Sequence, residues 1–371
     1  MNTFYKTAET LKQGAMTLPK EYYTDFAVLN KEMENIFTGS WLCCGRCDDV
    51  YKAGQYILIN IGNESIIILR DDNNKLQAFY NVCRHRGTRI CTKERGKFSK
   101  TIQCRYHGWT YDLQGNLYRA PNMDALGDFN KGNYPLHKVE FVEWEGFSFI
   151  NLSDNPSDFY LEYAPLMNRF SEWGIADLKT VESKTYFADC NWKLIIQNYS
   201  ECYHCPLIHP SLADITPYTG GRNDLVQGPF LGGYMEMNTE SVSKDGNRCG
   251  PTLGNLSNKN MSRVYYYTLF PNMLLSLHPD FIMIHTVWPE GPEKCRINCR
   301  WIFPKEVEKN SNYHPANAID FWDKTNLEDW EICEQSQLGI RSKKYEPGPY
   351  SGQESLLAAY DKYYFSILIK A

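Results

Sequence analysis

Several absences narrow the chain before any motif is considered. No apolar run approaches the roughly 20 residues that cross a bilayer. The opening Met1-Asn2-Thr3-Phe4-Tyr5-Lys6 leads into no apolar core of signal-peptide kind, so neither a membrane span nor export is expected. Positive charge is not in excess: 39 Lys and Arg face 44 Asp and Glu, a net charge of −5, which gives no reason to expect nucleic acid. There is no G-x-G-x-x-G fingerprint and no flavin-binding pattern. Internal repeats and low-complexity tracts are absent, and histidine is scarce at 8 residues.

At 371 residues the chain exceeds one ordinary core, and two domains are expected. Hydrophobic content of 43% with 22% charged residues describes a globular protein. Its 13 cysteines, with no export signal, point to a reducing cytoplasm in which thiols serve as ligands or core residues. Cys44-Gly45-Arg46-Cys47 is a C-x-x-C with no second pair, so Cys43, Cys44 and Cys47 are read as reduced core or surface cysteines.

Residues 19–41 are expected to form an N-terminal helix, with Phe26, Leu29, Met33, Ile36 and Phe37 at helical spacing and Gly39 at its end. Short strands follow at 56–61, 65–69 and 76–80, then a hairpin at 110–118 and a closing strand at 145–152. Asp154-Asn155-Pro156-Ser157-Asp158 reads as a linker. Beyond it, helices are expected at 159–173 and 191–203, a Gly/Pro-rich stretch at 217–258, strands at 262–270, 273–277, 281–288 and 295–303, and a last helix at 315–339. The order suggests an α+β domain.

Two short stretches carry the chemistry. Cys83-Arg84-His85-Arg86-Gly87 and Cys104-Arg105-Tyr106-His107-Gly108-Trp109 each offer one thiolate and one imidazole. C-x-H followed by C-x-x-H fits a [2Fe–2S] centre in which one iron takes both sulfurs and the other both histidines. A structural zinc site built from the same four residues is the alternative. The second stretch runs from Asn198 to His209. A helix would place Glu201 and His204, at i and i+3, on one face. Pro206 would then break that helix and let His209 turn back toward His204. Two imidazoles and one distant carboxylate would make the facial triad that holds non-haem Fe(II). Near the C-terminus, Leu327, Trp330 and either Ile332 or Cys333 are expected to form a buried stripe, with Asp329 beside it facing inward and Glu328 and Glu331 solvated. Asp329 is chosen as the third ligand, with Asp323 as runner-up. Asn198 is a further candidate catalytic residue.

These motifs resemble the Rieske non-haem iron oxygenases, specifically their α (terminal oxygenase) subunits, over essentially the whole chain. Respiratory Rieske proteins carry an extra cysteine in each loop; here those positions are Thr88 and Tyr106, which points to the oxygenase branch. The family's Asp, then Glu five residues on and Gln three further, is met by Asp329, Glu334 and Gln337. The resemblance implies an all-β Rieske [2Fe–2S] domain at 40–155 and a helix-grip antiparallel-sheet catalytic domain at 156–371 that holds a mononuclear Fe(II). Residues 1–39 would pack on the catalytic domain as a helical segment. It implies a head-to-tail homotrimer fed by a separate NAD(P)H-dependent flavin and iron–sulfur reductase. In it, Glu201 would bond His204 on one side and His107 of the next chain on the other. Most members have Asp at that position. Glu resembles the branch that acts on carnitine, glycine betaine and proline betaine, so O₂-dependent hydroxylation of a quaternary ammonium compound is the expected activity. An aromatic-ring hydroxylase is the alternative enzyme. An electron carrier that has lost the second iron is the alternative of another class, told apart by counting iron per chain.

The other histidines, His137, His278, His285 and His314, read as core or surface residues, although His278 and His285 fall near strand ends where they would line a pocket. Tyr265, Tyr267, Phe270, Phe281, Trp288 and Trp301 alternate along strands, either filling the core or stacking on a cation. Between the ligand loops Arg84, Arg86, Arg89, Lys93, Arg95, Lys97, Lys100 and Arg105 face a single acid, Glu94. Such a run is either a solvated face or a surface that steers an acidic reductase into place.

Overall fold

The structure, a computed structural model, describes residues 15–369; the parts of the expected terminal segments at 1–14 and 370–371 lie outside it. The chain divides into two compact units, residues 37–159 and residues 15–36 with 160–369.

The first unit is built of three small antiparallel sheets. Its strands are β1 (Leu42–Arg46), β2 (Gln55–Ile61), β3 (Glu64–Arg70), β4 (Leu76–Tyr80), β5 (Arg95–Lys97), β6 (Thr101–Gln103), β7 (Thr110–Asp112), β8 (Leu117–Arg119), β9 (Glu140–Trp144) and β10 (Phe147–Asn151). The sheet orders are β4-β3-β2-β5, β6-β7-β8 and β1-β10-β9. Ile66, Ile67, Ile68 and Leu69 make β3 apolar on both faces, and it is buried on both. The closing strand begins at Phe147 rather than at residue 145. Glu145 and Gly146 both take positive φ (50° and 72°) in a two-residue turn, the geometry that matches hairpin twist. That turn reveals β9, which the sequence reading did not separate.

In the second unit β11 (Lys179–Ala188), β12 (Gly221–Gln227), β13 (Phe230–Glu236), β14 (Arg263–Leu269), β15 (Met273–Leu277), β16 (Ile282–Gly291) and β17 (Lys294–Phe303) form one antiparallel sheet, ordered β11-β17-β16-β15-β14-β13-β12. The 26-residue helix Pro315–Ile340 packs Ala318, Phe321 and Trp322 into a core with Met283, Trp301 and Phe303 of the sheet. The Gly/Pro-rich stretch therefore conceals a hairpin, β12–β13. Turn-forming residues masked its period, and β11 and the helix Ser355–Leu368 were likewise not anticipated. The span 159–173 is a series of single turns rather than one helix. The N-terminal helix breaks at Asp25, whose side chain accepts from the Ala27 N–H (2.7 Å) to cap the next piece. Phe26, expected on the buried face, is exposed.

The helix Trp192–Tyr199 positions the second motif. Asn191 caps it by accepting from the Lys193 N–H (3.0 Å). Buried Glu32 holds it through Lys193 Nζ (2.5 Å) and Trp192 Nε1 (2.8 Å). At its start Gln337 of the long helix accepts from the Asn191 N–H (2.9 Å), and Glu334 accepts from the Asp189 N–H (2.9 Å). Among the described residues no helix is long and apolar enough to cross a membrane.

Candidate metal centres

The two cysteine–histidine loops of the first unit share one backbone plan. In each, the cysteine N–H donates to a carbonyl across the loop (Cys83 to Thr88, 2.9 Å; Cys104 to Trp109, 2.8 Å). The glycine four residues later donates back to the cysteine carbonyl (Gly87, 3.0 Å; Gly108, 3.1 Å). Both glycines sit at positive φ (74° and 72°), which any β-carbon would strain. The plan buries Cys83 and Cys104 in the core of the unit and leaves the imidazoles at the surface. His85 and His107 bring their Nδ1 atoms to 3.2 Å, and the His85 ring lies stacked on Trp109 at 4.9 Å. The Cys104 thiol is raised by burial and shares a hydrogen bond with Cys83. Buried sulfurs at one end and paired ring nitrogens at the other suit a two-iron cluster. A structural zinc would instead need all four ligand atoms gathered around one centre.

In the second unit His204, His209 and Asp329 converge, with one ligand atom from each lying within 4.8 Å of the others. His204 Nε2 is 3.4 Å and His209 Nε2 2.8 Å from the same oxygen, Oδ1 of Asp329. Each Nδ1 is turned away onto a glutamate: His204 to Glu201 Oε1 (2.5 Å) and His209 to Glu328 Oε2 (2.7 Å). Carboxylate partners of this kind fix tautomer and ring orientation and leave Nε2 free to ligate. Burial pulls the His204 imidazole down, but its hydrogen bonds to Asp329 and Glu201 prevail and carry it to about 10. Burial likewise pushes Asp329 up, and the two histidines overcome it to hold the carboxyl at about 2. Two imidazoles and one carboxylate, each imidazole with a second carboxylate behind it, fit a divalent iron that keeps open positions.

Local structure departs from expectation here. The helix ends at Tyr199, so Glu201 and His204 are not joined by a helical face. Instead Glu201 Oε2 accepts from the backbone N–H groups of Tyr203 and His204, and that turn brings its other oxygen to the ring. Pro206 does not break a helix; it lies in the first turn of a new one, Cys205–Ile208, where its missing N–H costs nothing. Cys202 and Cys205, expected as free thiols, are joined in a disulfide that brackets His204. On the long helix Leu327 is 53% exposed and the buried stripe is carried by Asn326, Trp330, Cys333 and Gln337. Glu328, expected in solvent, is the partner of His209. Asp323 is bound to Lys184 (2.8 Å) and Tyr186 (2.5 Å), away from the triad.

A cavity opens beside the triad. Asn198, Tyr199, Tyr266, Thr268 and Trp322 line it together with Leu212, Leu231, Met235 and Leu356. The aromatics singled out by sequence, Tyr265, Tyr267, Phe270, Phe281, Trp288 and Trp301, are all buried in the core; Tyr266, between two of them, reaches the cavity. His285 Nε2 donates to Asn326 Oδ1 (3.1 Å) within the core.

Comparison with known proteins agrees with both centres. Residues 40–130 match the Rieske [2Fe–2S] domain, and residues 175–368 match the catalytic domain of ring hydroxylating alpha subunits. The oxygenase subunit of glycine betaine monooxygenase from Chromohalobacter salexigens is 31% identical, over 93% of this chain and 84% of that one. The solved structure of a quaternary ammonium Rieske monooxygenase superposes with a TM-score of 0.81 at 26% identity, over 95% of each chain. Naphthalene 1,2-dioxygenase from Rhodococcus sp. shares the fold, with a TM-score of 0.80 at 17% identity over 99% of this chain and 97% of that one. The chain thus belongs to the ring-hydroxylating alpha subunits of Rieske type: it is an oxidoreductase, a terminal oxygenase pairing a [2Fe–2S] domain with a mononuclear iron site.

Proposed function

We propose that this terminal oxygenase hydroxylates a C–H bond of a quaternary ammonium compound, leading to N-demethylation or C–N cleavage. The observation that carries the substrate class is the cavity. Glu201 and Asp329 bring negative charge to it, Tyr199, Tyr266 and Trp322 contribute rings, and no Lys or Arg is among the described residues that line it. A trimethylammonium group donates no hydrogen bond and is stabilised by ring faces and nearby carboxylates. Glutamate at position 201 and the likeness to enzymes named for glycine betaine and carnitine favour the same class.

Cys83, His85, Cys104 and His107 would hold the cluster, and His204, His209 and Asp329 the mononuclear iron. When bound, these groups supply one-electron transfer and the reductive activation of O₂. The chain's own residues supply the rest. Glu201 and Glu328 keep both imidazoles in the tautomer that presents Nε2. Leu212, Leu231, Met235 and Leu356 make the cavity apolar and exclude water. Asn198 offers an amide to orient the ligand. One oxygen atom enters the substrate and the other leaves as water, consuming two electrons and two protons; a hydroxylated N-methyl then departs as formaldehyde. The electrons come from a separate NAD(P)H-dependent reductase that docks by charge on the basic ligand-loop surface, where Arg86, Arg89, Lys93, Lys97, Lys100 and Arg105 are exposed. A cytoplasmic head-to-tail homotrimer, in which Glu201 meets His107 of a neighbouring copy, completes the reading.

The test is O₂ uptake with a surrogate reductase across betaines, choline, carnitine and aromatic acids, with formaldehyde assayed alongside. Uptake coupled to formaldehyde with a quaternary ammonium compound is expected. Uptake with aromatic acids alone would replace this reading by the ring hydroxylase, which is the reaction the family is named for.

A further inference from the structure

One group of polar atoms behind the cavity has no role in holding metal. Tyr266 Oη, Trp322 Nε1 and both ring nitrogens of His278 are buried without a hydrogen-bond partner among the described residues. Buried polar groups are nearly always satisfied, so four such atoms in one place require an explanation. The three rings are neighbours: His278 is 5.4 Å from Trp322 and 6.3 Å from Tyr266, and Tyr266 is 6.1 Å from Trp322, centroid to centroid. Sheet register explains the grouping. Tyr266 pairs with Ser276 across β14 and β15, and His278, two residues beyond Ser276, falls on the same face. That face meets the long helix at Trp322. Tyr266 and Trp322 both line the cavity, and His278 is packed against them with 0% exposure, its ring stacked on Phe281 at 4.0 Å.

Resting on the substrate class proposed above, we propose that Tyr266, Trp322 and His278 form the subsite that receives the carboxylate of a zwitterionic substrate, a betaine. The chemistry of the donors selects that ligand. A phenol O–H, an indole N–H and an imidazole N–H are three donors with no fixed charge, and a carboxylate accepts all three. Burial drives the His278 imidazole down to about 3, so it is neutral and adds no competing cation. A zwitterion brings its own counter-charge, so no Lys or Arg is needed. Glu201 and Asp329 line the same cavity as Tyr266 and Trp322 and bring negative charge beside the triad. A betaine aligned in that field turns its N-methyl groups toward His204, His209 and Asp329 and its carboxylate away. The subsite therefore also directs attack to the methyl carbons.

The test uses two matched pairs on the purified metal-loaded protein, with binding followed by calorimetry. Glycine betaine and choline share the trimethylammonium end; 3,3-dimethylbutyrate and 3,3-dimethylbutan-1-ol are their carbon counterparts, in which a neutral tert-butyl group replaces it. In the wild type each carboxylate is expected to bind more tightly than its alcohol. Tyr266→Phe and His278→Leu are each expected to weaken both carboxylates about tenfold or more, and both alcohols by less than about twofold, the scale of losing a hydrogen bond to a charged group. Tyr266→Phe removes one oxygen and keeps the ring, so it reports even where His278→Leu folds poorly. Equal losses for all four ligands, unchanged carboxylate binding, or a wild type that binds neither carboxylate would overturn the subsite. The ammonium reading fails separately, when betaine and choline bind no better than their carbon counterparts.

Discussion

The chain carries two histidine pairs, and they are built in opposite ways. His85 and His107 sit on loop tips at the surface, their Nδ1 atoms facing one another with no carboxylate of the described residues on either ring. His204 and His209 lie deeper, present Nε2 to Asp329, and have each Nδ1 tied to a glutamate. Electrostatics follow the construction. His85 is held below the ordinary imidazole range by desolvation, with His107 and Arg86 adding to it, whereas His204 is carried to about 10 by its acids. A relay must be reached from outside and is set among cations. An oxygen-activating site must be dry, and its ligands need fixed partners because water is not there to orient them.

Breaking either pair should separate the two functions. The largest effect is expected from Cys83→Ser or His85→Ala, which should abolish the visible absorbance of the cluster and all reductase-driven turnover while one iron per chain remains by metal analysis. His209→Ala should do the reverse, keeping the cluster's spectrum but losing turnover; a fully active His209→Ala would remove it from the triad. Next in size are the two glutamates, which sharpen the contrast. Glu328→Ala should weaken Fe(II) binding by roughly 10- to 100-fold, with partial recovery in Glu328→Gln, read by metal titration. Glu201→Ala should retain both metals yet slow oxidation of the reduced cluster in a single turnover. Rapid oxidation in that variant would deny Glu201 its bridging role. The smallest effect is expected at the surface: raising salt from low to physiological concentration should slow cluster reduction by the reductase by about tenfold or less. A salt-independent rate would return the basic run to a plain solvated face.

The parts legible in the sequence were those encoded at short range. Each Cys-x-His or Cys-x-x-His loop is a closed local structure, and β2, β3, β4 and β14 to β17 announce themselves through alternation and turn residues. Long-range phase was not legible. On the 315–340 helix, hydrophobicity placed Leu327 inward, but the buried stripe is satisfied by hydrogen-bonding residues: Asn326 to His285, Gln337 to Asn191. That rotation is why Glu328 looked solvated and instead meets His209. The Asp-then-Glu-then-Gln spacing did hold the signal, since Gln337 and Asp329, eight residues apart, are separated by only about 80° around the helix and share one broad face. Stopping the helix at Tyr199 was equally out of reach, because a glutamate side chain that satisfies two backbone N–H groups competes with helix continuation.

The Gln337–Asn191 hydrogen bond closes a mechanical circuit. From Asn191 one helix runs forward to the loop of His204 and His209, while from Gln337 another runs back about 12 Å to Asp329. The jaw that grips the ion thus has its hinge pin at the opposite end of both levers. Evolution or an engineer can widen or narrow the bite there without touching a ligand, a substrate-facing residue or the colour of the protein.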